Sequence, residues 1–138
     1  MRAIGIDVGS TNVKVVLVDD AGRIVADASS PLTTDIRGES VGQDAEVLWA
    51  TVAAAVREVT AAAPEAAADV ATLGVCSQYS SVVPLDAEGR ALAPIKMYLD
   101  SRRADACWSL LERHPAAFET WIAHHGIPPI GGGLTLSH

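Results

Sequence analysis

Ile4-Gly5-Ile6-Asp7-Val8-Gly9-Ser10-Thr11-Asn12-Val13-Lys14 opens the chain as a strand, a tight turn and a second strand. Ile4, Ile6 and Val8 alternate onto one face. Residues 12–19 are β-branched and apolar on both faces, the pattern of a covered central strand. Asp19-Asp20-Ala21-Gly22 is turn chemistry, and Arg23–Ala28 predicts a third strand, completing an antiparallel meander. The first turn is suited to an anion. Gly9 permits a positive φ and removes the Cβ, so backbone N–H groups can approach a phosphate. Ser10, Thr11 and Asn12 add short side-chain donors. Asp7, at the end of its strand, is placed to hold Mg²⁺ through water. Lys14 points away from Val13 and Val15, and a charge in an apolar strand needs a partner or an exit. The same residues also fit an ordinary hairpin in which Lys14 blocks edge pairing. They are not a Walker loop, since Gly-x-x-x-x-Gly-Lys is absent and a strand follows.

Beyond the meander the period changes. Asp44 is a helix N-cap, with Glu46 in the first turn. Leu48, Val52, Ala55, Val56 and Val59 form one apolar helical face, and Pro64 forbids easy continuation. A buried strand is predicted at Val70–Cys76. Val82–Leu85 and Arg90–Ile95 flank Asp86-Ala87-Glu88-Gly89 as a hairpin. Helices are predicted at Ala104–Arg113 and Ala116–His124, with Gly126 as a stop and Pro128-Pro129 beyond it. Trp49, Trp108 and Trp121 are read as packing residues. The tail from Gly131 to His138 simply stops, which suggests a piece of something longer.

Strand–helix–strand crossovers are almost always right-handed. That sets the strand at 70–76 parallel to the first, with both C-terminal ends on one sheet edge. Ligands of open α/β sheets bind outside such ends. Asp7-Val8-Gly9 would then face Ser77-Gln78-Tyr79-Ser80-Ser81. Gln78, Tyr79, Ser80 and Ser81 offer the neutral donors and acceptors a polyol needs. From the next strand end, Tyr98 is expected to stack on a sugar's apolar face and Asp100 to take two hydroxyls. The plainer alternatives are a polar turn at 77–81 and a surface pair of Asp100 with Arg102 or Arg103.

Composition narrows the classes. The chain has 138 residues, which suits one domain and one core. A net charge of −7 with scattered basic residues argues against nucleic acid. Cys76 and Cys107 form no Cys-x-x-Cys pair, and adjacent His124 and His125 point about 100° apart on a helix, so no metal cluster is expected from them. There is no leader pattern and no apolar run of the ~20 residues a membrane helix needs. A cytoplasmic setting is the resulting expectation.

Three segments, in order, resemble the N-terminal region of the FGGY carbohydrate kinases. Asp7 to Lys14 is similar to the family's first phosphate motif. Gly74-Val75-Cys76-Ser77-Gln78-Tyr79-Ser80-Ser81 resembles its sugar-contacting strand end. Leu85 to Arg90, followed by Tyr98-Leu99-Asp100-Ser101-Arg102, resembles its hairpin and its Trp-x-Asp-x-Arg segment. Gln43-Asp44-Ala45-Glu46 also looks like the family's helix start. Tyr79-Ser80 stand where xylulokinases carry Met-His and glycerol kinases Arg-Glu, and Tyr98 replaces the usual Trp.

The resemblance implies an α/β fold of ribonuclease H-like, actin/hexokinase type: a mixed sheet flanked by helices, incomplete at the C-terminus. Residues 1–138 would be a truncated N-terminal domain, without the catalytic-base segment and the C-terminal nucleotide domain. The implied reaction is ATP-dependent phosphorylation of a sugar or polyol, with ATP and Mg²⁺ as cofactors and no nucleic-acid or membrane partner. Gly9, Ser10, Thr11, Asn12 and Lys14 would hold phosphate, Asp7 the metal, and Gln78, Tyr79, Ser80, Tyr98 and Asp100 the sugar. The base lies outside the chain, so the chain alone is expected not to turn over. It is also expected to expose apolar surface and self-associate, and a homodimer is expected for the full-length protein. The alternatives are a non-catalytic nucleotide-binding module of actin or Hsp70 type and a sugar-binding regulator derived from a kinase.

Overall fold

A computed structural model describes residues 1–102 and 104–126. Arg103, Pro128-Pro129 and the tail from Gly131 lie outside the described residues. In chain order the elements are β1 (Arg2–Val8), β2 (Asn12–Val18), β3 (Ile24–Pro31), β4 (Asp35–Arg37), β5 (Ser40–Gln43), α1 (Ala45–Ala62), α2 (Pro64–Ala68), β6 (Val70–Ser77), β7 (Ile95–Lys96), α3 (Ala104–Arg113) and α4 (Ala116–His125). They group into two compact units. The first is Met1–Thr34 with Asp44–Gln78; the second is Asp35–Gln43 with the chain from Tyr79 onward.

The first unit is a four-stranded mixed sheet in the order β3-β2-β1-β6. β1, β2 and β3 are the predicted antiparallel meander, and β6 joins β1 in parallel, as the crossover rule requires. Strand alternation sends Ile4, Ile6, Val13, Val15, Leu17 and Ala28 into one core with Val52, Ala55 and Val59 of α1. Asp44 caps α1 by accepting from the Glu46 and Val47 N–H groups. Pro64 does end α1, but it also starts α2, because proline at a first helical position gives up only an N–H that has no helical partner.

The expectation that Val70–Cys76 is buried is corrected. α1 lies over β2 and β3, whereas β6 is the sheet's edge in this chain and leaves Leu73 and Val75 exposed. An apolar run shows what a strand is built to sit against; it cannot show that the covering element is present. Trp49 and Trp108 are likewise exposed, not packed. Trp121 is partly buried and its ring lies 4.6 Å from that of His125.

In the second unit β4, β5 and β7 form a small antiparallel sheet. The predicted hairpin at 82–95 is reduced to two bridges, Val82 with Lys96 and Leu85 with Ala91. Pro84 and Pro94 lack the N–H groups that regular strands would need there. α3 and α4 fall where predicted, and Gly126 caps α4 by donating to the Ile122 carbonyl.

One five-residue loop occurs in both units. In Asp19–Arg23 and again in Asp86–Arg90, Asp Oδ1 accepts from two backbone N–H groups and Oδ2 accepts from the arginine Nε at 2.8 Å. Gly22 and Gly89 sit at φ 75° and 81°. These bonds hold Asp19 and Asp86 below the ordinary carboxylate range, the arginine's backbone N–H contributing most. A Cβ at Gly22 would touch nothing within 4 Å, so its only penalty is conformational. Gly22→Ala is therefore expected to cost about 1–2 kcal/mol, read as a lower urea midpoint at unchanged slope.

Candidate functional site

The turn between β1 and β2 is closed by the Gly9 N–H donating to the Asn12 carbonyl at 3.0 Å. Gly9 was expected to supply a positive φ, and it does not. Its requirement is closeness: a Cβ there would sit 2.9 Å from the Asn12 carbonyl oxygen, below any normal contact. The Thr11 carbonyl accepts from Leu32 N–H, so the turn is also tied to the end of β3.

Asp7 and Lys14 are directly opposite each other across β1 and β2. Directly opposed residues share a sheet face. That face is the one turned away from buried Val13 and Val15, and both side chains are exposed. Neither makes a side-chain hydrogen bond or ion pair among the described residues. Cys76 is in register with Asp7 on the other side, and a shallow recess lined by Gly5, Asp7, Lys14, Val16, Gly74 and Cys76 opens there. Gln78 follows directly, its N–H donating to the Val8 carbonyl at 2.8 Å. The first unit thus gathers Asp7, Gly9, Ser10, Thr11, Asn12, Lys14 and Gln78 at the C-terminal ends of two parallel strands.

Tyr79, Ser80, Tyr98 and Asp100 belong to the second unit. The Tyr79 and Tyr98 rings meet edge to face with centroids 6.5 Å apart, and they are 58% and 44% exposed. Ser80 between them in sequence has φ 52°, alone among the described non-glycine residues in taking a positive value. Such backbone costs on the order of 1–3 kcal/mol and marks a loop held by its surroundings.

For Asp100 the plainer alternative is met in part: it does pair with Arg102, whose side chain is 48% exposed, but the carboxylate itself is only 1% exposed. Oδ2 accepts from Val41 N–H at 3.1 Å and from the Arg102 guanidinium at 2.6 Å, while Oδ1 accepts from Arg102 Nε at 3.0 Å. A carboxylate has about four acceptor positions, and these are filled from within the chain. The Arg102 side chain, followed by the Val41 and Arg102 N–H groups, outweighs burial and lowers the Asp100 pKa to about 2. Sequence reading missed Val41 because it contributes through its backbone; the Asp-x-Arg spacing was the available signal for Arg102.

Among the described residues no group of three or more His, Cys, Asp or Glu is placed to hold a metal ion. A lone exposed Asp7 nonetheless fits Mg²⁺, which is commonly held by one or two carboxylates together with substrate phosphates and water. No helix of the described residues is long and apolar enough to cross a membrane.

Comparison with known proteins places the chain. The profile of the FGGY family of carbohydrate kinases, N-terminal domain, matches residues 2–127. The chain belongs to that family. It is 33% identical over 114 residues to the xylulose kinase of Escherichia coli strain K12, covering 81% of this chain and 23% of that protein. It is 32% identical over 113 residues to the glycerol kinase of Acinetobacter baylyi, covering 79% of this chain and 22% of the other. The crystal structure of xylulose kinase from Rhodospirillum rubrum superposes with a TM-score of 0.79 at 27% identity, over 89% of this chain and 25% of that one. The fold is thus the actin/hexokinase-type mixed sheet expected from the sequence. The chain spans about a quarter of the length of each of these proteins.

Because its folded pKa lies below the ordinary 3.8, Asp100 stabilises the fold above about pH 4 and loses that contribution as pH falls towards 2. The urea midpoints of the native chain and Asp100→Asn should differ most above pH 4 and converge near pH 2.

Proposed function

We propose that this chain forms the phosphate-binding part, and a portion of the acceptor site, of an ATP-dependent carbohydrate kinase. One observation carries the reading. A carboxylate and an ammonium, Asp7 and Lys14, stand opposed, exposed and uncommitted beside a turn that only glycine can close. From that combination a plain hairpin would gain at most a cross-strand charge pair of Asp7 with Lys14, and the two form no ion pair among the described residues. A triphosphate with its cation uses all of it: Lys14 balances phosphate charge, Ser10, Thr11 and Asn12 donate to phosphate oxygens, and Asp7 faces the metal side.

The reaction is in-line. A sugar hydroxyl oxygen forms a bond to the γ-phosphorus, the bond to the β–γ bridging oxygen breaks, ADP leaves, and the hydroxyl proton passes to a base. Mg²⁺, when bound, neutralises charge on the phosphates. Little covalent help is required, so positioning and electrostatics do most of the work. Tyr79, Ser80 and Tyr98 of the second unit orient the acceptor through hydroxyl groups and ring faces. The names of the relatives support a small polyhydroxylated acceptor.

Lys14→Ala should weaken Mg·ATP binding to the chain by about tenfold or more, the loss of a charged hydrogen bond of about 1.5–3 kcal/mol. Asp7→Asn should abolish the Mg²⁺ dependence of binding while ATP alone binds no worse. Titration calorimetry with and without Mg²⁺ reads both, and unchanged affinities in both variants would sink the phosphate assignment.

Neither assigned carboxylate is suited to be the base. Asp7 is assigned to the metal, and Asp100 is held ionised by Arg102, which lowers its proton affinity. The 138-residue chain should release no ADP from ATP in the presence of xylulose, glycerol or gluconate. Turnover with any of them would refute this division of labour. Stabilisation by one of these sugars favours the kinase reading over an actin- or chaperone-type module, which has no use for a polyol site.

A further inference from the structure

Asp100 sits at the corner of a turn with an unusual division of burial. Its backbone N–H donates to the Met97 carbonyl at 2.9 Å, closing Met97-Tyr98-Leu99-Asp100 as a β-turn. The two corner residues, Met97 and Asp100, are 2% and 1% exposed, while Tyr98 and Leu99 at the tip stand out in solvent. Both corners are tied to the same residue of β5. Met97 N–H donates to the Val41 carbonyl at 3.1 Å, and Val41 N–H donates to Asp100 Oδ2 at 3.1 Å. Ser101 N–H adds a bond to the Glu39 carbonyl at 3.0 Å, and the Arg102 fork closes over the carboxylate. The clamp therefore uses both backbone groups of Val41 and leaves the turn one orientation. In that orientation the Tyr98 ring meets Tyr79.

We propose that Asp100 is a positioning residue: by clamping the Met97–Asp100 turn onto Val41 it holds Tyr98 against Tyr79 as a fixed aromatic wall for the apolar face of the acceptor sugar. It replaces the sequence-based expectation that Asp100 itself takes sugar hydroxyls, because its acceptor positions are already filled. The inference rests on the reading of Tyr79 and Tyr98 as sugar contacts, and it adds what fixes their geometry. Arg102 shares the role, since a planar guanidinium can bridge both carboxylate oxygens and a lysine cannot.

The chain has two tyrosines, so ring-labelled tyrosine gives a spectrum with two ring sets, assigned by Tyr79→Phe. The native chain should show a nuclear Overhauser contact between the rings. Asp100→Asn should lose it while the β1–β2 cross-strand contacts persist. Arg102→Ala should lose it as well, and it stands in if Asp100→Asn does not fold. Arg102→Lys should not restore it. Retention of the ring contact in a folded Asp100→Asn or Arg102→Ala chain overturns the proposal. Titration with xylulose, glycerol and gluconate separates it from the reading beneath. Ring shifts in the native chain that need about tenfold more sugar in Asp100→Asn, with Mg·ATP binding unchanged, support positioning. Equal sugar affinity in both chains overturns it. Ring shifts with no sugar at all defeat the acceptor site, whatever the ring geometry shows.

Discussion

The register of β2 is the constraint on which the first unit depends. Val13, Val15 and Leu17 are fully buried under α1, and a strand's side chains alternate strictly. Burying those three fixes Lys14 on the opposite face, and pairing with β1 then sets Asp7 beside it. A slip of one residue would turn Lys14 into the core and Val13 into water, so the hydrophobic demand of the core enforces the placement of the charges. The placement of charge on the open face is thus a by-product of packing on the closed one.

Much of this was legible. Period-2 and period-3.6 patterns located the meander and α1; α3 and α4 fall where they were expected ahead of the Gly126 stop, and the crossover reading placed β6 parallel to β1. What was missed has a common physical origin in information that no local pattern holds. β4 and β5 have three and four residues, too few to display a period. Leu73 and Val75 advertise burial that depends on neighbours. Gly9 was singled out for a positive φ and for its missing Cβ; only the second holds, and the neighbour that demands it is a carbonyl three residues on. Asp100 was weighed both as a sugar ligand and as the partner of Arg102; the Arg102 pair was legible in the Asp-x-Arg spacing, whereas the Val41 N–H, remote in sequence, was not.

The two units hold their candidate groups by different means. In the first, sheet pairing places Asp7 and Lys14, and the side chains themselves remain uncommitted. In the second, side chains are spent on placement: one buried carboxylate and its arginine fix an aromatic tip. The difference suits the groups being placed. Charged side chains on adjacent strands need only a register, whereas a tyrosine ring at a turn needs its backbone held at both corners.

The Asp-x-x-Gly-Arg loop has a consequence for how the chain assembles. Each loop satisfies its own aspartate and orients its own arginine within five residues, so it needs no distant partner to take shape. The Asp19–Arg23 loop joins β2 to β3, strands already close along the chain, and a hairpin of that kind forms in about 1–10 μs. β6 reaches β1 only by closing roughly seventy residues of intervening chain, a larger entropic debt that local contacts do not offset. The meander therefore has the head start, and the strand that carries Gln78 is the late arrival to a template already in place.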